Sequence, residues 1–115
     1  MSQLEDLVKQ FCEERDWDQY HSPKELAIGL STESNELLDL FRFKTDSQMK
    51  DMLNIPEKIE AISEELADIL FFLLRFSQMY NFDLEKSLKN KIQKNDEKYP
   101  TDRVKGKNLK YTEYK

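Results

Sequence analysis

Residues 56–80 run PEKIEAISEELADILFFLLRFSQMY. Within this stretch Ile59, Ile62, Leu66, Ile69, Leu73 and Phe76 recur every three or four residues, and Pro56 suits a first helical position. The spacing predicts one long helix from Pro56 to about Tyr80. Its second half, Ile69 to Phe76, is apolar nearly all round, which places it at the centre of a bundle and against another subunit.

Working upstream, Ser22 with Pro23 and Glu25 makes an N-cap, a first-position proline and an acidic first turn. A second helix is therefore predicted from this cap to about Phe41. Ser2 and Glu5 form a capping-box pattern, and Leu4, Leu7, Val8 and Phe11 follow at helical spacing, so a first helix runs to about Arg15. Asp16 to His21 is a connector. Arg42 to Asn54 is polar without a sustained period and reads as a loop, with at most one helical turn around Met49 to Leu53. Downstream, Asp83 can cap a fourth helix whose Leu84, Leu88 and Ile92 face inward until Tyr99-Pro100 ends it. The polar, basic stretch beyond Pro100 would be disordered on composition alone.

The composition agrees with an all-α, four-helix bundle. The 115 residues are 36% charged with only 2 Gly and 3 Pro, rich in helix formers and poor in turn residues. A chain this short buries little surface alone, so association into a homodimer or homotetramer is expected. A net charge of −5 argues against nucleic acid as a partner, and the tail from Arg103 to Lys115 has too few cations to reverse that. Cys12 is the single cysteine and reads as a buried structural thiol rather than a nucleophile. No apolar segment reaches the roughly 18 residues of a membrane span, and no basic leader precedes an apolar run. The expectation is a soluble, cytoplasmic protein without a membrane partner.

Acidic pairs three apart are common here, Glu13/Asp16 and Glu57/Glu60 among them. Glu33 differs because Leu26, Leu30, Leu37 and Leu40 lie seven, three, four and seven residues from it, so it interrupts the apolar stripe itself. Glu36 follows one turn along. On the third predicted helix Glu65 stands between Ile62 and Ile69, and Asp68 stands one turn before Phe72. Four carboxylates on buried faces must be paired or neutralised. A hard divalent cation resolves that conflict, and an all-oxygen donor set suits Mg²⁺, with Mn²⁺ as a substitute, better than zinc. A di-iron bundle would need Glu-x-x-His motifs, and the one histidine, His21, lies outside the helices.

Glu33-Ser34-Asn35-Glu36 and Glu65-Leu66-Ala67-Asp68, with residues 37 to 64 between them, resemble the E-x-x-E and E-x-x-D signature of the MazG-like nucleotide pyrophosphohydrolases. Three further segments are similar to the dCTP pyrophosphatase-like branch of that family. They are Glu14 to His21, Lys91 to Pro100 in the form K-x-x-x-N-x-x-K-Y-P, and Lys110-Tyr111-Thr112-Glu113. The resemblance implies an oligomeric all-α enzyme with residues 1–100 as its helical catalytic domain and 101–115 as a tail free to pack on the active site. It implies a (d)NTP substrate, dCTP-like or modified, attacked by water at the α-phosphorus to give a nucleoside monophosphate and pyrophosphate. Glu33, Glu36, Glu65 and Asp68 would hold Mg²⁺, and Glu33 or Glu36 would take the proton of water. Lys91, Asn95 and Lys98 or Tyr99 would reach the phosphates or sugar, while Trp17 and Tyr20 with His21 match the base-binding segment. Phe43 stands where the branch looks to carry Trp and Phe72 where it looks to carry Tyr, which bears on cytosine preference. From the residues alone, a non-catalytic helical module binding nucleotide or protein through the same bundle stays open. Dependence on Mg²⁺ separates the two.

Overall fold

The structure, a computed structural model, describes residues 2–107, with the backbone alone for Ser2. Helix α1 spans Ser2–Glu14, α2 Pro23–Phe41, α3 Asp46–Met52, α4 Pro56–Tyr80, α5 Leu84–Lys98 and α6 Thr101–Val104. A 3-10 turn, Asp18–Tyr20, lies between α1 and α2. No strand occurs among the described residues, so the all-α class expected from composition is what forms. No helix among them is long and apolar enough to cross a membrane.

Local chemistry explains the helix ends. Ser22 Oγ accepts the Glu25 amide at 3.1 Å and Pro23 occupies the first position of α2, as the sequence predicts. Asp83 Oδ1 accepts the Lys86 amide at 3.0 Å and caps α5. Asn81 ends α4 in the left-handed region at φ 61°, a conformation its short polar side chain tolerates. The Ser2–Glu5 capping box involves a side chain outside the described residues.

Two expectations about element bounds need correction. The 42–54 stretch is not a loop with one turn near its end, because α3 begins at Asp46. Thr45 Oγ1 accepts the Gln48 amide at 3.1 Å while Gln48 Oε1 accepts the Thr45 amide at 2.8 Å, a reciprocal capping box that starts a helix without an apolar period. The tail is not irregular from Pro100 onward either, since Thr101–Val104 forms a helical turn. Residues 108–115, with the Lys110 to Glu113 match, lie outside the described residues.

The chain divides after Asn81 into two compact units. The first holds α1 to α4 and is organised around α4, which packs most extensively on α2 and then on α1. His21 meets Arg75 and Tyr80, Gly29 meets Phe72, and Glu33 meets Glu65, so α2 and α4 run antiparallel. Glu5 meets Gln78 and Phe11 meets Phe71, which gives α1 the same sense against α4. Cys12, Leu26, Met52 and Leu74 are the buried apolar side chains among the described residues. In the second unit, with α5 and α6, the expectation that Leu88 and Ile92 face inward is corrected, since both are exposed along α5 and α6 does not cover them.

Gly29 is required by the α2–α4 approach. A Cβ there would lie 2.4 Å from the Phe72 ring, far inside contact distance. Gly29→Ala gains about 1 kcal/mol of helix propensity but overpacks at a cost of about 1–3 kcal/mol. Its Tm should fall by roughly 4 °C. In a Phe72→Ala background the same substitution should raise Tm, and a rise in both backgrounds would show that the close approach does not constrain the pair.

Candidate metal centre

Antiparallel packing turns two separate acidic pairs into one cluster. Glu33 and Glu36 sit one turn apart on α2, and Glu65 and Asp68 one turn apart on α4. One carboxylate oxygen from each of Glu33, Glu36 and Glu65 lies within 4.8 Å of the others. Glu33 and Glu65 are half-buried, whereas Glu36 and Asp68 are exposed. Asp68 stands outside the convergent trio, but its charge acts on both Glu33 and Glu65.

Oε2 of Glu33 and Oε2 of Glu65 are buried without a hydrogen-bond partner. Carboxylate-to-carboxylate contacts join acceptors only, and they become hydrogen bonds when one carboxyl carries a proton. Desolvation first, then the Glu36 and Glu65 contacts, then the charges of Glu36 and Asp68, push the Glu33 carboxyl up to about 7. Glu65 is also raised, mainly by desolvation, with Glu36 and Asp68 adding to it and its contact to Glu33 opposing. A site whose buried oxygens face no donor fits a cation, and three convergent carboxylates without thiolate or imidazole, with the charge of Asp68 acting on two of them, fit a hard divalent one.

The other predicted residues fall in three places. Trp17 and His21 stand in the connector at the α2 N-terminus, rings edge to face at 6.1 Å, and Trp17 also meets Phe11 at 5.5 Å. Phe72 is half-buried between Gly29 and Phe71, one turn beyond Asp68. Phe43 is 92% exposed in the left-handed region, with the Arg42 guanidinium 4.8 Å from its ring. It shares no described contact with the carboxylates. Lys91, Asn95, Lys98 and Tyr99 belong to the second unit. Lys91 and Lys98 are exposed there, and the Asn95 carbonyl accepts the Tyr99 amide at 2.7 Å.

Arg75 was hidden by the sequence pattern. It is the single charged residue between Ile69 and Ser77, inside the run read as apolar, yet it is 1% exposed and holds the connector. Its Nε donates to His21 Nδ1 at 2.9 Å, its Nη1 to Gln78 Oε1 at 2.8 Å, and its Nη2 to Asp18 Oδ1. A lone cation in an apolar run was the available signal, because a buried Arg demands partners.

Comparison with known proteins bears on this arrangement. The model of the MazG-like family matches residues 28–114. The chain is 34% identical over 113 residues, 96% of its length, to proteins named dCTP pyrophosphatase 1 from Rattus norvegicus and Homo sapiens. It spans 66% of the length of those relatives. The crystal structure of a pyrophosphatase from Archaeoglobus fulgidus superposes with a TM-score of 0.79 at 33% identity, covering 87% of this chain and 92% of that one.

The raised Glu33 carboxyl sets a pH dependence of the metal-free protein. Native Glu33 keeps its proton up to about 7, while the unfolded chain releases it near 4.5, so the native state binds more protons between those values. The contribution of Glu33 to stability is full below 4.5 and is lost as pH rises through about 7. In EDTA the wild-type Tm should drop between about pH 5 and about pH 8, and Glu33→Gln, which cannot titrate, should drop less. Parallel curves for the two proteins would remove Glu33 as the cause.

Proposed function

This chain belongs to the MazG-like family, and from that premise we propose that it hydrolyses a nucleoside triphosphate, (d)NTP plus water giving (d)NMP plus pyrophosphate. The observation that carries the reading is the pair of buried, donor-free oxygens of Glu33 and Glu65 inside the E-x-x-E and E-x-x-D segments. Mg²⁺, or Mn²⁺ in its place, would be held by Glu33, Glu36, Glu65 and Asp68 and would supply charge neutralisation and Lewis-acid polarisation at the phosphates.

The remaining steps belong to the side chains. The water oxygen bonds to the α-phosphorus, the bond to the bridging oxygen breaks, and pyrophosphate leaves. A carboxylate oxygen of Glu33 or Glu36 that is not committed to the cation takes the proton of water. Trp17, 37% exposed, offers a stacking surface worth about 1–3 kcal/mol to a base. Lys91, Asn95, Lys98 and Tyr99 are the groups we assign to phosphate and sugar, on their match to the family motif. The relatives named for dCTP support a dCTP-like or modified deoxynucleotide as substrate.

We also propose a homodimer or homotetramer. Leu7 is 64% and Leu66 52% exposed, and Leu38, Leu70 and Leu73 are exposed as well, more apolar surface than a small monomer usually leaves in water. Light scattering should give twice or four times the chain mass, and a monomer at micromolar concentration would overturn this.

Pyrophosphate should be released from a panel of deoxynucleoside triphosphates only with Mg²⁺ or Mn²⁺, and orthophosphate appearing first would contradict the reading. Glu36→Gln should lose at least about a hundredfold in turnover, since it removes a proposed ligand at constant shape. Without metal it should melt at or above the wild type, because one repelling charge is gone. It should also lose most of the Mg²⁺-dependent gain, which mass action sets at about 2.7 kcal/mol at a hundred times the dissociation constant. Glu57→Gln, on the exposed first turn of α4, should do none of these things.

A further inference from the structure

The stripe of α4 that carries Glu65 and Asp68 continues through Phe72 to Arg75, in steps of three, four and three residues. At about 1.5 Å rise per residue, Arg75 lies roughly 10 Å along the axis from Asp68. That is comparable with the span of a nucleotide from its α-phosphorus to the far edge of its base. At this end of α4 the connector is pinned. Arg75 holds His21 and Asp18, Gln78 is braced by its own bond to the Glu5 carbonyl at 2.7 Å, and the Tyr80 hydroxyl donates to the His21 carbonyl.

The chemistry of Arg75 fixes the state of His21. A guanidinium has donors and no acceptor, and it does not give up its proton in a protein. The ring nitrogen facing it, Nδ1, must therefore present a lone pair, and the ring proton must sit on Nε2. Nε2 has no partner among the described residues, and it is absent from the buried orphaned atoms, which are Glu33 Oε2 and Glu65 Oε2. An N–H thus remains open to a ligand, with the Trp17 ring 6.1 Å away. Burial first and the Arg75 charge second hold His21 below its ordinary range, against the opposing charge of Asp18, so the ring stays neutral.

We propose that Arg75 is a positioning residue for base selection, fixing His21 as the Nε2–H tautomer so that this N–H donates to a carbonyl oxygen of the nucleobase. The inference rests on the nucleotide reading above and adds to it a rule of specificity. Cytosine, thymine and guanine each carry a carbonyl oxygen; adenine carries none. Discrimination therefore acts against dATP, and it passes through a residue that touches His21 rather than the substrate.

His21 is the one histidine of the chain, so ¹⁵N shifts of its ring are unambiguous. The wild type should show Nε2 protonated and Nδ1 as the acceptor at neutral pH. The Nε2–H resonance should move when the α,β-imido analogue of dCTP is added with Mg²⁺, and much less with that of dATP. In Arg75→Met, which keeps the bulk of the side chain, the tautomers should mix. The preference in kcat/KM for dCTP, dGTP and dTTP over dATP should fall about tenfold, through KM, with kcat little changed. Arg75→Lys should recover part of that preference. A wild-type His21 protonated on Nδ1, an Nε2–H indifferent to the analogues, or an Arg75→Met enzyme that only melts earlier with selectivity intact would each overturn the proposal. Should Arg75→Met fail to fold, the wild-type resonances decide. Absence of pyrophosphate from all four triphosphates would instead sink the hydrolase reading and the base-selection role with it, while the tautomer would still report whether the clamp exists.

Discussion

The closest conflict in this protein is between two carboxylates, Glu33 on α2 and Glu65 on α4, pressed together where one oxygen of each is shut off from water and from any donor. The α2–α4 pair is the main packing contact of the first unit, so this repulsion sits in the middle of what holds the unit together. Apolar residues at the same positions would stabilise the bundle more, because buried charge without a partner destabilises it. Retaining acids there has a physical sense when something positive occupies the gap. Residues at functional sites commonly break the rules of stability in this way.

The other end of α4 solves the opposite problem. Arg75 is only 1% exposed, but its charge is answered within the protein by Asp18, His21 and Gln78. An internally satisfied charge has no need of a ligand and serves to hold its partners. An unsatisfied one is completed by what binds. Both nodes lie on one stripe of one helix, with Phe72 between them against Gly29. A shift of α4 relative to α2 would therefore disturb both at once, which makes the Gly29 contact a register mark for the whole site.

The parts of this arrangement that could be read in the sequence are those written in local chemistry. Ser22-Pro23-Glu25 starts α2 because the cap and the proline act on adjacent backbone, and the period of α4 follows from its own apolar stripe. Glu33 stood out because it broke such a stripe. The convergence of three carboxylates needed more, namely the antiparallel register, which depends on contacts between distant residues. Helix α3 is legible from its apolar period only as a turn near Met49 to Leu53, whereas its true start is written in the Thr45 and Gln48 capping box. The role of Arg75 is illegible for a different reason. Its partners His21 and Asp18 lie 54 and 57 residues away, so no local window contains the interaction.

The charge balance gives the acidic cluster a second consequence on the proposed reading. A chain of net charge −5 and a nucleoside triphosphate repel one another, and the repulsion is strongest where Glu33, Glu36 and Glu65 converge with the charge of Asp68 acting on two of them. At physiological salt, screening acts over about 8 Å, which weakens the distant charges but not those within the acidic cluster. A triphosphate without a divalent ion therefore meets an unfavourable field in the very place where its phosphates must lie. The same triphosphate carrying the cation meets ligands. On that reading the mutually repelling carboxylates would also act as a filter, admitting the nucleotide only in the metal-bound form whose charge they complete.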